Sequence, residues 1–552
     1  MKKMLVALIA FVMVLSALPG LARESETRIL VIETTDIHGC IFDASSGDPA
    51  TFQYRMARIA RMIGEIGSSG LYEGLLLMDG GDIYQGAPVS ALTGGAAMRA
   101  VIDMMPYDAV TLGNHEFDWD VREYAADGEG TVAPYVLGDY YGDGKTPVLA
   151  SGLYDARTGE RVPFTRDYTV VEKAGKRIAV IGYIPDYRGD VMTDRIAPYR
   201  IDGSLEKLDA LSRRVRETEK PDAVVILAHE GPASVAAAMD PGTVTLVCGG
   251  HTHETAIGTA ENGVPYIQGG SNARGFASAV LVFDPEGNVR AEEMKYTDIM
   301  ADPAALYDTP ENEALLDPAV MALSRAAWDA VSEEMSEVLG YIDTPVVRSR
   351  RVGASSAGNW ITGLMLRWAR PLGAVAAFYN AGGIRTDLRI PKGQTARAVT
   401  VYDIYTITPF GNSLLVYDLT GAEIARLLAN GLTNPNHGDQ MSGLTFTYTA
   451  TGDREADRMA RKYTILSITL DDGTVVDPKD TRTLYRVCVS SYNATVRGSV
   501  FLGKEPVIPE SDAPVDYETF ILLLREEGAD HSGRLTVDAG QRGVETEAAG
   551  TD

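Results

Sequence analysis

The chain has 552 residues, a formal net charge of −26 and only three cysteines. This length exceeds what one hydrophobic core normally fills, so we expect two domains. Strong negative charge disfavours binding of a nucleic acid polymer, but it does not exclude binding of a small phosphorylated ligand. Apolar residues make up 45% of the chain and charged residues 23%, which is typical of a folded globular protein.

Residues 1–22 predict a secretory signal peptide. Two lysines precede an apolar run over residues 4–18, and the small residues Gly20 and Ala22 suit cleavage after Ala22. The alternative is an uncleaved membrane anchor, but the run is shorter than the roughly 20 residues that a span needs. No later segment is long and apolar enough to cross a bilayer. We therefore expect an exported protein, periplasmic, cell-envelope or extracellular, without stable membrane insertion after cleavage.

Residues 24–300 alternate short aliphatic runs with helical patterns, which predicts an α/β domain. Helices are predicted for YRMARIARMIGEIGSSG and AAMRAVIDMM. Buried strands are predicted for RILVIETT, GLLLMDGG, DAVTLGN, TPVLAS, RIAVIGYI, DAVVILAHE and TVTLVCGG. In such an arrangement, a functional site is expected where strands end and loops begin.

The remaining chain predicts three further parts. Residues 301–341 show helical spacing and are expected to form a helical linker, with a hinge near residues 330–348. Residues 342–540 predict a second α/β domain, with strands in AVAAFYN, NSLLVYDLT, LTFTYTA and LYRVCVSSY. The acidic, polar segment 541–552 predicts a disordered tail.

Five of the seven histidines directly follow predicted strands, and so does Asp82. These histidines are His38, His115, His229, His251 and His253. Aspartate, asparagine and histidine are the ligand types of borderline divalent metals. If the segments are extended, Asp36 and His38 point the same way, because side chains alternate along such a backbone. The sequence therefore predicts a metal centre at the ends of these strands.

The ordered motifs DIHG, GGD and GNHE, followed by single and paired histidines, resemble the calcineurin-like metallophosphoesterase signature. The resemblance implies a four-layer domain of two mixed sheets flanked by helices, holding two divalent ions (Zn, Mn or Co). Asp82 would bridge the two ions, because one carboxylate can share its charge between two cations. The implied ligands of one ion are Asp36, His38, Asp82 and His253, and those of the other are Asp82, Asn114, His229 and His251.

The same resemblance implies the catalytic residues. A metal-bound hydroxide would attack phosphorus, and His115 would face the substrate rather than a metal. Asp118 would orient the His115 imidazole, a sensible arrangement for a general acid. Glu116 is expected to support the turn rather than to take part in the chemistry.

The C-terminal region resembles the substrate-binding domain of secreted 5′-nucleotidases. The matching segments are YNAGGIRTDL, TPFGNSLLVYDLTGAEI, QMSGLTFTY and LYRVCVSSY, in that order. Guanidinium groups match phosphate geometry and aromatic faces stack on bases. The substrate-binding residues implied by the resemblance are Arg351, Asn380, Arg385, Phe410, Asn412 and Tyr492.

Two departures from this pattern keep alternatives open. Ala381 replaces the first of three glycines after Asn380. Gly498 lies near the position where 5′-nucleotidases carry an aspartate that reaches the ribose, and SSYNA is similar to the sister branch that cleaves 2′,3′-cyclic nucleotides and 3′-nucleotides. The leading hypothesis is a 5′-nucleotidase acting on nucleoside 5′-monophosphates. The alternatives are a 2′,3′-cyclic-nucleotide phosphodiesterase/3′-nucleotidase, a nucleotide-sugar hydrolase, or a secreted binding protein without turnover. The sequence does not fix the oligomeric state.

Overall fold

The computed structural model describes residues 26–43, 51–118, 146–187, 191, 196–349, 352–353, 355–434, 438–452, 461–496, 498–509 and 513–546. The predicted signal peptide therefore lies outside the described residues. Within the described ranges, no helix combines the length and hydrophobicity that crossing a bilayer requires.

The first sheet contains six strands and is mixed. The strands, in sheet order, are β14 (Val289–Asp298), β13 (Gly275–Phe283), β1 (Thr27–Thr34), β2 (Gly74–Asp79), β3 (Ala109–Thr111) and β4 (Val148–Leu149). Strands β1 to β4 run parallel to one another, while β13 pairs antiparallel with both β1 and β14.

The second sheet is also six-stranded and mixed. Its strands, in sheet order, are β11 (Thr255–Thr259), β12 (Pro265–Gly269), β10 (Leu246–Gly249), β9 (Ala223–Ala228), β7 (Lys176–Tyr183) and β6 (Tyr168–Lys173). Strands β7, β9, β10 and β12 are parallel, and β6 and β11 close the edges antiparallel. A small antiparallel pair, β5 (Leu153–Asp155) and β8 (Tyr199–Ile201), lies apart from both sheets.

The two sheets pack face to face, and helices cover their outer faces. Alternate residues of the central strands, such as Val31 and Val225, share one buried cluster between the sheets. Leu30 and Ile32 instead pack with residues of α1 (Arg55–Gly67) and α3 (Ala96–Met104). On the other side, α4 (Leu205–Glu219) and α5 (Pro232–Ala238) cover the second sheet. This confirms the predicted four-layer α/β arrangement. The short helix α2 (Pro88–Leu92) precedes α3.

Residues 299–342 connect the two parts of the chain. Short 3₁₀ turns at Ile299–Ala301, Pro303–Leu306 and Glu313–Leu315 precede α6 (Pro318–Asp329) and α7 (Ser332–Met335). Residues 338–341 were predicted to belong to the helical linker, but they are extended. They lie in β15 (Val338–Ile342), which pairs antiparallel with β17 (Arg397–Thr400) and so belongs to the second domain.

Trp328 of α6 packs against both domains. Its ring meets that of Phe52 at 4.8 Å and that of Tyr402 at 5.9 Å. The connecting helix is therefore part of a core shared by the two halves.

The second domain contains two four-stranded sheets. One has the order β18 (Leu414–Thr420), β23 (Leu484–Ser490), β16 (Ala376–Tyr379) and β19 (Gln440–Ser442). The other has the order β22 (Val475–Val476), β21 (Lys462–Leu470), β20 (Leu444–Thr451) and β24 (Gly543–Glu545). The helices are α8 (Ser356–Ala369), α9 (Val401–Ile407), α10 (Gly421–Thr433), α11 (Ser491–Thr495) and α12 (Asp516–Asp530).

The start of the predicted disordered tail is ordered. Gly543 to Glu545 form β24, which runs parallel to β20. Glu545 pairs with Arg461 at 2.9 Å. A Cβ on Gly543 would lie 2.7 Å from the Phe446 ring, so the chain passes close over that side chain. The tail prediction was therefore wrong for these residues, and residues 547–552 lie outside the described part.

Candidate metal centre

The predicted metal ligands converge where five parallel strands end. Asp36 and His38 follow β1, Asp82 follows β2, and Asn114 follows β3 in the first sheet. From the second sheet, His229 follows β9, and His251 and His253 follow β10. The carboxyl ends of neighbouring parallel strands lie at one edge of a sheet. The packing of the two sheets brings both edges together.

The ligand-bearing loops are tight turns rather than extended segments. Five of the seven predicted ligands have positive φ, between 50° and 69°. They are Asp36, His38, Asp82, His251 and His253. Asp36 and His38 therefore do not lie in an extended segment as predicted, although their side chains do converge. Left-handed backbone is costly for residues other than glycine and is often found at functional sites.

One group of four ligands is compact. Asp36, His38, Asp82 and His253 each offer a ligand atom, and these atoms all lie within 4.8 Å of one another. His38 Nε2 lies 2.9 Å from His253 Nε2, and His253 Nε2 lies 3.6 Å from Asp36 Oδ1. Burial lowers the pKa of His253 to about 3, with a further contribution from Arg385. The imidazole is therefore neutral and able to ligate a metal.

The second predicted group shares Asp82 with the first. Asp82 Oδ2 lies 3.8 Å from His38 Nε2 and 3.2 Å from His229 Nε2. Asn114 Oδ1 lies 3.3 Å from His229 Nε2 and 2.9 Å from His251 Nδ1. One carboxylate oxygen thus faces both ligand groups, which is the geometry that a bridging ligand requires.

The donor set fits divalent cations. His229 Nδ1 lies 2.7 Å from the Gly80 carbonyl oxygen, so this nitrogen carries the proton and donates it. The lone pair on Nε2 of the neutral ring then faces two oxygens, those of Asp82 and Asn114. Such an arrangement is repulsive unless a proton or a cation lies between them. When no cation is bound, burial acts to lower the pKa of His229. The Asp82 carboxylate outweighs this effect and raises the pKa to about 10.

His115 lies beside the metal ligands with its imidazole held by Asp118. Nδ1 lies 2.5 Å from Asp118 Oδ2, and the main-chain N–H donates to Asp82 Oδ1 at 2.9 Å. Burial acts to lower the pKa of His115, but the Asp118 and Asp82 carboxylates outweigh it and raise the pKa. With Nδ1 occupied, Nε2 is the nitrogen that remains for a substrate.

Two of the predicted substrate-binding residues reach this centre from the second domain. The ring of Phe410 stacks on that of His115, with centroids 5.2 Å apart and an interplanar angle of 24°. The Arg385 guanidinium carbon lies 5.5 Å from the centroid of the Phe410 ring. Burial lowers the pKa of Arg385, and the largest opposing effect is the attraction of the Asp82 carboxylate in the metal centre, which raises the pKa. The second domain thus brings an aromatic face and a positive charge to the ligand cluster.

The other predicted substrate residues differ in their surroundings. Asn412 is buried, and its amide contacts Tyr379, Asp516 and the main-chain N–H of Tyr492. These contacts anchor the loop after Phe410 to the segment that carries Tyr492. Asn380 is also buried, and its Oδ1 has no hydrogen-bond partner among the described residues. Arg351 lies outside the described residues.

The sequence did not single out two residues that hold ligands in place. Thr35 donates its hydroxyl to Asp36 Oδ2 at 2.7 Å. Gln85 accepts a hydrogen bond from His38 Nδ1 at its main-chain oxygen, at 2.9 Å. Glu116 supports the turn as expected, since its carboxylate accepts from the main-chain N–H groups of Asp82 and Gly113 at 2.8 and 2.6 Å. Proximity of Thr35 and Gln85 to the motifs was the only sequence signal available.

Family models match both halves of the chain. Residues 29–255 match the calcineurin-like phosphoesterase model, and residues 335–501 match the 5′-nucleotidase C-terminal domain. The chain belongs to the calcineurin-like phosphoesterases that carry a 5′-nucleotidase C-terminal domain. This family is metal-dependent, which agrees with the ligand cluster.

Individual relatives share only about a quarter of their residues with this chain, but the similarity covers most of its length. The chain is 25% identical over 547 residues to the trifunctional nucleotide phosphoesterase protein YfkN of Bacillus subtilis, covering 92% of this chain and 34% of that protein. It therefore spans about a third of that relative. It is 25% identical to a 5′-nucleotidase of Vibrio vulnificus, covering 75% of this chain and 77% of the relative.

Solved structures show the same fold. A 5′-nucleotidase precursor from Thermus thermophilus has a TM-score of 0.73 at 23% identity, covering 95% of this chain and 100% of that one. The sulfate thiohydrolase SoxB from Thermus thermophilus has a TM-score of 0.68 at 16% identity, covering 94% and 97%. One fold thus serves proteins with different names and reactions, so the substrate has to be argued from the site.

Proposed function

We propose that this chain is an exported phosphohydrolase that removes phosphate from nucleotides, with nucleoside 5′-monophosphates as the leading substrate. The observation that carries the proposal is that residues of the second domain reach the metal-ligand cluster of the first. His115 lies beside the clustered metal ligands, and Phe410 and Arg385 face it from the second domain. Relatives named as nucleotide phosphoesterase and 5′-nucleotidase support this substrate class.

The chain's own residues supply binding and proton transfer. Divalent cations, when bound by the two ligand groups, would supply charge for the phosphoryl oxygens and acidify a water molecule. Arg385 would bind a phosphate oxygen through its guanidinium fork. Phe410 would stack on the base, and Tyr492 would contribute a second aromatic ring. Protonated His115, held by Asp118, would donate a proton from Nε2 to the leaving oxygen.

One observation favours a second candidate, the 2′,3′-cyclic-nucleotide phosphodiesterase/3′-nucleotidase. Gly498 is exposed and offers no side chain to a ribose. A substrate whose ribose oxygens are esterified with phosphate needs less recognition of free hydroxyls at this position. The metal ligands and His115 would serve either reaction.

The deciding experiment measures phosphate release by the purified chain with added Mn²⁺. AMP is compared with 2′,3′-cyclic AMP, the latter followed by a phosphatase. Preference for AMP supports the leading substrate, and preference for the cyclic ester supports the second. If neither nucleotide is hydrolysed while a simple phosphomonoester such as glycerol 2-phosphate is, the nucleotide assignment is wrong.

A further inference from the structure

Gln85 connects the metal centre to the second domain in two ways. Its main-chain oxygen accepts the Nδ1–H of His38, a predicted ligand. The residue is only 2% exposed, and its side-chain Nε2 donates to the carbonyl oxygen of Pro409 at 3.1 Å. Pro409 immediately precedes Phe410, whose ring stacks on His115. One residue therefore contacts the ligand side and the aromatic side of the site.

The orientation of the Gln85 amide follows from its surroundings. A carbonyl oxygen only accepts hydrogen bonds, so the amide nitrogen and not Oε1 must face Pro409. Nearby, α2 of the first domain contacts α9 of the second, so the bond lies within a wider interdomain contact. The Gln85 side chain thus bonds the loop that carries Phe410 to the metal-ligand domain.

The same side chain carries a cost when the domains meet. Gln85 Oε1 is buried and has no hydrogen-bond partner among the described residues. Burying an unsatisfied carbonyl is unfavourable, because a carbonyl exposed to water would be hydrogen-bonded. The bond to Pro409 therefore stabilises the contact between the two domains, and the unsatisfied Oε1 weakens it.

We propose that Gln85 is a positioning residue that places Phe410 over His115 by bonding the Pro409 carbonyl. Gln85 acts on the substrate through Phe410 and does not itself take part in the chemistry. The proposal rests on the proposed function only in naming a nucleotide as the molecule whose base Phe410 contacts.

The first test compares kinetics of the full chain carrying Gln85→Leu or Gln85→Glu, each with added Mn²⁺. Both variants lack the amide N–H, and we expect the KM for the nucleotide to rise about tenfold, the loss of roughly one net hydrogen bond. The loss in kcat/KM should be smaller for glycerol 2-phosphate, which has no base. Bound metal should stay at the wild-type level, since the main-chain oxygen that holds His38 remains. Gln394→Leu, at an exposed glutamine, is the matched control.

The second test does not depend on the substrate. Hydrogen–deuterium exchange without nucleotide should be faster in Gln85→Leu than in the wild type for the peptide spanning residues 403–412. Unchanged exchange together with an unchanged nucleotide KM would overturn the role of Gln85. An equal loss of kcat/KM on the nucleotide and on glycerol 2-phosphate, together with a lower metal content, would also overturn the role of Gln85. That result would indicate collapse of the metal centre. A wild-type chain inactive on nucleotides would refute the proposed function, and the exchange measurement would still decide the role of Gln85.

Discussion

Phe410 from the second domain stacks on His115 from the first, with ring centroids 5.2 Å apart. The residue expected to hold the base therefore touches the residue expected to protonate the leaving group. In a nucleoside monophosphate only the sugar separates the base from the phosphoryl group. The stack places recognition and chemistry within one small volume, which suits a nucleotide better than a phosphorylated protein.

Replacing Phe410 tests this arrangement. Phe410→Leu should raise the KM for the nucleotide by about tenfold to a hundredfold, because base–aromatic stacking contributes roughly 1–3 kcal/mol. Steady-state kinetics with the nucleotide and with glycerol 2-phosphate measure the difference. Tyr341→Leu, at a tyrosine of β15 that is 51% exposed, serves as control. An equal loss on both substrates would argue against base stacking.

The shared position of Asp82 predicts an asymmetry among the ligands. Asp82→Ala should leave less than one ion per chain, because its Oδ2 faces both ligand groups. His253→Ala should retain about one of about two ions, since it removes a ligand of one group only. Metal analysis of dialysed protein by plasma mass spectrometry gives these values. His531→Ala, at an exposed histidine, should match the wild type. Equal losses in the Asp82 and His253 variants would contradict bridging by Asp82.

His115 is expected to affect catalysis without holding metal. His115→Gln should lower kcat by roughly 10²- to 10⁴-fold, which is the usual contribution of a positioned general acid. Asp118→Asn should have a smaller effect in the same direction, because it loosens the imidazole without removing it. Both variants should keep the wild-type metal content. Loss of metal in His115→Gln would instead place this residue among the ligands.

Much of this molecule was predictable because its signals are local. The strands of the first domain are continuous aliphatic runs, and each ligand follows one of them directly. What the sequence did not reveal depends on distant parts of the chain. The bond from Gln85 to Pro409 joins residues 324 positions apart. The strand at Gly543–Glu545 exists because β20 offers an edge to pair with, although its own polar composition favours disorder. The left-handed turns at Asp36 and His38 also lacked a signal, since neither residue is glycine.

Asp516 predicts a pH dependence of stability that is independent of the metal centre. Its carboxyl is fully buried beside Tyr379 and Asn412, and burial raises its pKa from 3.8 to about 7. The folded state therefore binds this proton more tightly than the unfolded state. Stability from this group is fully present below pH 3.8 and is lost as the pH rises to about 7. Between pH 5 and pH 7 the loss is on the order of 2–3 kcal/mol.

The variant Asp516→Asn isolates this effect, because the neutral amide resembles the protonated carboxyl in shape and hydrogen bonding. Thermal unfolding of both proteins at pH 5 and pH 8 is the measurement, with the difference in Tm between variant and wild type compared at the two pH values. We expect the Tm of the variant to rise relative to that of the wild type between pH 5 and pH 8, because the variant carries no buried charge at pH 8. Asp472→Asn, at an exposed aspartate, should show no such gain. If the Tm of the variant instead falls relative to the wild type at pH 8, the Asp516 carboxylate is stabilised in its charged form. Its hydrogen bonds from Tyr379 and Asn412 would then outweigh the cost of burial.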